Sequence, residues 1–175
     1  AGVDQSWSST HANGQVNYAH DYYFNEEHGV TTLHKYLYPQ SGSAAAEIRS
    51  KIGQGVGYAN YSAHCDQNGW ADPSFTTSHV PSLNNENKYF FSVGNCCLSN
   101  KFEVGECFGE AIVRANKKGA VVHIGGSNST YWDEDFYWAV GLTSTITANV
   151  TYEQSDLGAY DHLFHDRGEE PYPSA

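Results

Sequence analysis

The sequence predicts an α/β domain built around a mostly parallel β-sheet. Segments rich in strand-forming residues alternate with segments of helical periodicity, which is the pattern of strand–helix–strand units. One strand candidate, AVVHIG at residues 120–125, is continuously apolar, as expected for a strand buried in a parallel sheet. At 175 residues the chain is long enough for one domain with a real core and too short for two.

The first half of the chain contains two predicted helices, each followed by a predicted strand. Glycines end both helices, at Gly29 and Gly53, where a left-handed residue commonly terminates helical hydrogen bonding. The strand segments are rich in Tyr, Val and Thr. The predicted elements are a helix over residues 13–27, a strand over 31–38, a helix over 43–52 and a strand over 56–61.

The second half of the chain repeats this alternation. Three acidic residues open the final predicted helix, where the positive end of the helix dipole favours them. The predicted elements are a short helix over residues 77–83, a strand over 89–93, a helix over 106–117, the strand over 120–125 and a helix over 133–142.

Polar and nucleophilic residues follow two of the predicted strands. His64 comes just after one strand, and Cys96 and Cys97 come just after the next. Because functional groups gather at the carboxyl ends of parallel strands, these residues are candidates for a nucleophile and its general base. Position alone leaves the structural alternative open, since histidines after strands are often satisfied structural residues and cysteines are often simply buried.

The composition argues against some partner classes. Nine Lys plus Arg stand against 20 Asp plus Glu, a formal charge of −11, which repels phosphate backbones and anionic lipids. No run approaches the roughly 20 apolar residues that span a bilayer. The opening AGVDQSWSS lacks the features of a signal peptide, so the chain is expected to be already processed. We therefore expect no nucleic-acid partner and no membrane span.

The four cysteines do not follow a recognisable framework. Their spacing fits neither a disulfide scaffold nor a paired zinc motif, and the remaining histidines are scattered without ligand spacing. The cysteine count does not decide the redox compartment. The cysteines are Cys65, Cys96, Cys97 and Cys107.

Three long segments of the chain resemble the gingipain family of cysteine peptidases, in its Lys-specific branch. The resemblance extends from the first residues to about Asp161. It implies a caspase-like three-layer sandwich, present here as a partial domain, and a bacterial, secreted or cell-surface protein. The segments are GVGYANYSAHCDQNGWADPS, KYFFSVGNCCLSNKFEVGECFGE and NSTYWDEDFYWAVG.

The resemblance implies a catalytic assignment. His64 takes the place of the family's histidine, and Cys97, the second cysteine of the pair, takes the place of the nucleophile. Asp4 matches the acidic residue that orients the imidazole, and the backbone amides of Cys65 and Cys97 would form the oxyanion hole. Cys97 would attack the carbonyl and His64 would then protonate the leaving amine. The alternative for Asp4 is a solvated terminal residue.

The resemblance also implies cleavage after a basic residue, with Lys as the first expectation and Arg as the alternative. Asp135 matches the carboxylate that binds the substrate ammonium, Trp132 matches the pocket wall, and Ser62 replaces a threonine that lines the pocket. An acidic group in an aromatic slot suits a long cationic side chain. The bland alternative treats Asp135 as an ordinary first-turn helix charge beside Asp133 and Glu134.

The resemblance implies no catalytic cofactor and a structural calcium ion. The Phe102 carbonyl and Glu110 match two calcium ligands of the family. Calcium takes six to eight oxygens, so the remaining ligands would come from outside this chain. The alternative is a solvated Glu110 close to a helix.

One residue departs from the family pattern. The family has glycine after the catalytic histidine, whereas Cys65 follows His64 here. The amide needed for the oxyanion hole is retained, but a side chain now stands where glycine allows close approach. Cys65 could also form a disulfide with Cys97. With Cys97 as the nucleophile, Cys96 would be a neighbour that points elsewhere.

These observations predict a secreted cysteine endopeptidase acting on proteins or peptides with Lys, or Arg, before the cleaved bond. Residues 1–165 would form the catalytic subdomain and 166–175 a loose tail. A companion N-terminal segment of the same precursor would complete the sheet, because AGVD reads as the end of a strand. The rival hypothesis is a catalytically inactive relative that binds peptides or surfaces.

Overall fold

Helices and short strands alternate along the chain. The computed structural model describes residues 5–155 and 157–164. Its α-helices are α1 (Gln5–Trp7), α2 (Asn13–Tyr22), α3 (Ala45–Gln54), α4 (Phe108–Arg114), α5 (Trp132–Val140) and α6 (Ala159–Phe164). Its strands are β1 (Tyr58–Ser62), β2 (Cys65–Asp66), β3 (Gly69–Trp70), β4 (Phe75–Thr76), β5 (Phe90–Asn95) and β6 (Ala120–Gly125). A π-helical turn covers Ser8–Ala12, and 3₁₀ helices cover Glu26–His28, Gln40–Ala44, Thr77–Ser82 and Tyr152–Gln154.

The central sheet is parallel and has the strand order β1-β5-β6. Ser62 at the end of β1 lies opposite Asn95 at the end of β5, and Gly94 lies opposite Gly125 of β6. Because all three strands run in one direction, their carboxyl ends meet at one edge of the sheet. The segments that follow β1 and β5 therefore emerge side by side.

Helices cover both faces of this sheet. On one face α3 and α4 pack against β1 and β5 in a cluster that includes Ile52, Phe90 and Ile112. On the other face α2, α5 and α6 form a second cluster around Phe136 and Tyr160. The alternation of side chains along a strand explains the two clusters, since successive residues point to opposite faces. The predicted α/β three-layer architecture is confirmed.

A second, small sheet follows the edge strand β1. Strands β2, β3 and β4 are antiparallel, with Cys65 opposite Trp70 and Gly69 opposite Thr76. Gly69 has φ of 128°, and a Cβ there would lie 2.5 Å from the Phe75 carbonyl oxygen, so only glycine fits. Strands of two residues are too short to show alternation in the sequence, so this sheet was not predicted.

Two element predictions are wrong. Residues 31–38 do not form a strand, since 31–37 are coil and 31–35 are exposed. The apolar strand β6 is not buried, because it is an edge strand of the described sheet and leaves Val121 62% exposed. The helix predicted over 13–27 ends at Tyr22, while the other predicted helices and strands lie within a few residues of their expected bounds.

A disulfide joins the segments that leave β1 and β5. It links Cys65 to Cys96, whose Cα atoms are 5.4 Å apart. Cys96 is buried and Cys65 is partly exposed. The alternative of a Cys65–Cys97 disulfide is wrong, because Cys97 is a free thiol and Cys65 has Cys96 as its partner.

Some of the sequence predictions concern residues that are not described. Asp4 and the rest of the proposed opening strand AGVD lie outside the described ranges. The predicted domain limit at residue 165 and the tail over 166–175 lie outside them as well. These assignments stay predictions. Across the residues that are described, none of the helices has the length and apolar character that would let it cross a membrane.

Replacing both Cys65 and Cys96 by serine should lower the free energy of unfolding by about 3–4 kcal/mol. The two cysteines are 31 residues apart, and closing a loop of that size restricts the unfolded chain by about this amount. Denaturant unfolding of the double variant and of the parent protein measures the difference. Reductant should bring the parent protein to the midpoint of the variant. Equal midpoints without reductant would contradict the cross-link.

Candidate functional site

The predicted histidine and cysteine lie at the same edge of the sheet. Each stands two residues beyond one member of the Ser62–Asn95 pair, which ends the ladder between β1 and β5. The Cys65–Cys96 disulfide joins the residue after His64 to the residue before Cys97. Strand register and cross-link together hold these two positions on neighbouring segments.

The backbone of His64 is held by two donors. The Tyr61 hydroxyl donates to the His64 carbonyl at 2.7 Å, and the Ala71 N–H donates to the same oxygen at 3.0 Å. The imidazole is partly buried and packs edge-on against the Trp132 indole, with ring centroids 5.1 Å apart. The His64 ring therefore lies against the predicted wall of the substrate pocket.

The sulfur of Cys97 contacts the backbone of Thr130. The Thr130 N–H donates to Cys97 Sγ at 3.3 Å, and the thiol donates to the Thr130 carbonyl at 3.4 Å. Among the described residues, no hydrogen bond joins this sulfur to His64. Cys97 is partly exposed.

The turn that presents Cys97 has an unusual backbone. Leu98, the next residue, has φ of 59°, a left-handed conformation that non-glycine residues seldom adopt. Its N–H donates to the Asn128 carbonyl at 3.0 Å, which holds the turn against the loop before α5. Such backbone strain is frequent where a side chain must be presented for function.

A partly buried histidine contacts this turn. His123 on β6 lies within hydrogen-bonding distance of the Ser92 and Ser99 hydroxyls, at 2.9 and 3.2 Å. Burial lowers the pKa of His123 to about 4, so its ring is neutral near pH 7. A neutral imidazole between two hydroxyls is a structural element of the Cys97 turn.

The three acidic residues at the start of α5 differ in their surroundings. The Asp133 carboxylate lies 2.9 Å from Nε2 of His11, and Glu134 is exposed. Asp135 is only partly exposed and accepts a hydrogen bond from the Thr130 hydroxyl at 2.8 Å. Burial raises the pKa of Asp135 to about 6, the Thr130 hydroxyl opposes this rise, and Glu134 adds to it. Of the three, Asp135 is the one that is partly buried and bonded to Thr130.

The other two predicted pocket residues, Ser62 and Trp132, lie on elements that Asn95 contacts. The Asn95 amide donates to the Asp135 carbonyl at 2.6 Å, and Ser62 is the strand partner of Asn95. The Ser62 hydroxyl is buried and, within the described residues, has no hydrogen-bond partner. Trp132 stands three residues before Asp135 on the same helix, on the side that meets His64. The structure thus places Ser62 on the strand end next to Asn95, and Trp132 and Asp135 on the helix that Asn95 contacts.

The predicted calcium ligands do not form a recognisable cation site. Glu110 accepts from the Cys107 N–H at 3.1 Å and lies 3.9 Å from the Arg114 guanidinium, and these contacts hold its pKa below the usual value. Phe102 is exposed. The described chain has no group of three or more His, Cys, Asp or Glu residues able to hold a metal. The two oxygens alone do not fit the six to eight that calcium requires.

Two parts of the site were not found from the sequence. Thr130 contacts both Cys97 and Asp135, but a lone threonine in a loop gives no sequence signal. Cys65 was noticed, yet its partner could not be assigned without the strand register. Of the predicted oxyanion donors, the Cys97 N–H donates to no acceptor in the described chain. Cys65 lies in β2, paired with Trp70.

Comparisons with known proteins identify a family and a shared fold. The model of peptidase family C25 matches residues 3–174. Lys-gingipain W83 from Porphyromonas gingivalis is 42% identical over 166 residues, which are 94% of this chain but 9% of that protein. The chain therefore spans less than a tenth of the length of this curated relative.

Solved structures share the fold. One described as "Structure of Protease" superposes with a TM-score of 0.83 at 40% identity, over 93% of this chain and 35% of that chain. The Arg-specific cysteine proteinase gingipain R has a TM-score of 0.52 at 28% identity, over 54% of this chain and 23% of that chain. The family match, the identity and the shared fold lead to one conclusion. The chain belongs to peptidase family C25, the family of the gingipains.

Proposed function

We propose that this chain carries the catalytic histidine and cysteine of a bacterial cysteine endopeptidase that cleaves after lysine. The observation that carries the proposal is the partly exposed thiol of Cys97, on the segment cross-linked to the one bearing His64. Membership of peptidase family C25 supports the reaction class. The similarity to Lys-gingipain supports the choice of lysine.

The proposed reaction needs a modest movement of side chains. Cys97 Sγ rests on Thr130 and the His64 ring rests on Trp132, so at least one of them must turn before a proton passes between them. Catalytic hydrogen bonds are often long in ligand-free enzymes and tighten when substrate binds. The Cys97 thiolate then attacks the carbonyl, and His64 protonates the leaving amine. The free Cys97 N–H is available for the oxyanion.

The proposed substrate pocket suits a lysine side chain. The Asp135 carboxylate would pair with the ammonium, the Ser62 hydroxyl would accept a hydrogen bond from it, and Trp132 would pack along the aliphatic stem. An arginine would present a wider, planar group to the same residues. We therefore infer a preference for lysine over arginine.

We also propose that a companion segment covers the free edge of β1. Within the described residues this strand pairs on one side only, with β5, and a groove of about 630 Å³ runs along its other side. Ile48, Ile52 and Tyr58 contribute to the lining of the groove. An added strand would pair with the exposed backbone of β1, as sheet edges commonly do. The proposed location, secreted or at the bacterial cell surface, rests on the family alone.

A second candidate function is peptide or surface binding without catalysis. It is favoured by the contact of the Cys97 thiol with Thr130 instead of His64, and by Cys65 in place of glycine. The labelling experiment below separates the two candidates.

A lysyl chloromethylketone should alkylate the native protein at Cys97 alone. Cys107 is fully buried, and Cys65 and Cys96 are oxidised, so Cys97 is the thiol within reach. Replacing His64 by alanine should slow the labelling by at least about 100-fold, because the general base is lost. Peptide mapping by mass spectrometry locates the adduct. The exposed His34→Ala variant is the matched control, and equal labelling of all three proteins would favour the binding module.

Replacing Asp135 by asparagine should lower kcat/KM for lysyl substrates by about 10- to 100-fold. This is the size expected when a charged partner is removed from a partly buried ammonium. Glu134→Gln makes the same charge change on the exposed neighbouring residue and should alter kcat/KM by less than about twofold. If the two variants behave alike, or if arginyl substrates are preferred by the parent protein, the assignment of Asp135 is wrong.

The preference for lysine should depend on pH through Asp135. With its pKa raised to about 6, the carboxyl is ionised above that pH and pairs with an ammonium, whereas below it the neutral acid cannot. The ratio of kcat/KM for matched lysyl and norleucyl substrates removes the titration of the catalytic pair. This ratio should fall as the pH drops through about 6. A ratio that stays constant between pH 5 and 8 would contradict the role of Asp135.

The companion segment can be tested on native material. Gel filtration and intact-mass analysis should find this chain together with a second polypeptide or within a longer one. A stable monomer of 19.3 kDa with full peptidase activity would overturn that part of the proposal.

A further inference from the structure

Thr130 contacts both the predicted nucleophile and the predicted specificity carboxylate. Its N–H donates to Cys97 Sγ at 3.3 Å, and its carbonyl accepts from the thiol at 3.4 Å. Its hydroxyl lies 3.7 Å from the same sulfur and donates to Asp135 Oδ2 at 2.8 Å. Every polar group of this residue therefore faces one of two groups.

The loop that carries Thr130 is fastened to the Cys97 turn on both sides. The Gly126 N–H donates to the Cys96 carbonyl at 3.3 Å, and the Leu98 N–H donates to the Asn128 carbonyl at 3.0 Å. Thr130 is partly buried, and it is β-branched, which restricts its side-chain rotamers. Backbone hydrogen bonds thus join the loop of Thr130 to the turn of Cys97, and the contacts of Thr130 with the sulfur lie beside these bonds.

The carboxylate at the other end is also fixed. The Asp135 N–H donates to the Tyr131 carbonyl at 2.9 Å, and the Asp135 carbonyl accepts from the Asn95 amide. The charged neighbours on α5 are Glu134, which is exposed, and Asp133, which is paired with His11. The Thr130 hydroxyl is the hydrogen-bond donor that this carboxylate has within the described chain.

We propose that Thr130 is a positioning residue that couples the lysine pocket to the nucleophile. Its hydroxyl, held by Asp135, keeps its peptide N–H directed at Cys97 Sγ and so holds the sulfur in one orientation. The same hydroxyl bond favours the ionised form of Asp135, the form that pairs with a substrate ammonium. This inference rests on the proposed function for its substrate class, but the Cys97 contacts hold without it.

The coupling predicts that the alkylation rate of Cys97 and the pH midpoint of the lysyl/norleucyl ratio change together when the hydroxyl is lost. In Thr130→Val, which keeps the shape but not the hydroxyl, Asp135 loses a donor and Cys97 loses the anchoring of its N–H partner. Alkylation of Cys97 by iodoacetamide should slow by about fivefold, the size of one ordinary hydrogen bond. The midpoint of the lysyl/norleucyl ratio should move up by about half to one pH unit.

Thr130→Ser should restore both properties to within about twofold, because serine supplies the same hydroxyl. Thr145→Val, at an exposed threonine away from the site, is the matched control and should leave both unchanged. A structural role alone would not move the pH midpoint. If Thr130→Val and Thr130→Ser give the same alkylation rate and the same midpoint as the parent protein, the inference is overturned.

A double-mutant cycle keeps the test decisive if Thr130→Val folds poorly. Asp135→Asn removes the charge that holds the hydroxyl, so it should also slow alkylation by iodoacetamide, and adding Thr130→Ala to it should then have less effect than Thr130→Ala has in the parent protein. Strictly additive effects would refute the coupling. Iodoacetamide has no lysine side chain, so its rate tests the Thr130 contact even if lysyl chloromethylketone fails to label Cys97 and the proposed function falls.

Discussion

The parallel pairing of β1 with β5 is the constraint on which the site depends. Register places Ser62 opposite Asn95, so the residues that follow them leave the sheet at one edge. A slip of one residue would turn every side chain of a strand to the other face of the sheet. The Cys65–Cys96 disulfide ties the two exits together, beyond the last hydrogen bonds of the ladder. This arrangement places His64 and Cys97 on neighbouring segments.

The second wall of the site comes from the loop between β6 and α5. This loop brings Thr130 to the sulfur of Cys97 and starts the helix that carries Trp132 and Asp135. Asp135 stays in a half-buried setting that burial alone would make unfavourable for a charge, and the Thr130 hydroxyl offsets part of that cost. A cationic side chain is the ligand that such a carboxylate best accommodates. The proposed nucleophile and the proposed pocket carboxylate are thus joined through Thr130.

Much of the fold could be predicted because helical periodicity, glycine stops and strand composition agree along the chain. These signals predict the positions of β1, β5 and β6 along the chain. They also predict that His64 and Cys97 follow strands. The strand predicted over residues 31–38 does not form, because an alternating sequence becomes a strand only where it has a pairing partner. The disulfide and the Thr130 contacts depend on which segments meet in space, and a single sequence carries no direct record of that. The identity of the pocket residues came from family resemblance, since Asp133, Glu134 and Asp135 are equivalent by composition.

The most direct test is a high-resolution crystal structure of the protein after reaction with a lysyl chloromethylketone. We predict a covalent bond from the inhibitor to Cys97 Sγ, the lysyl ammonium beside Asp135, and the His64 imidazole turned from Trp132 to within hydrogen-bonding reach of the reacting centre, about 2.6–3.2 Å or one water away. An adduct on Cys97 with the lysyl chain outside the pocket and His64 still packed on Trp132 would contradict the proposed catalytic pair.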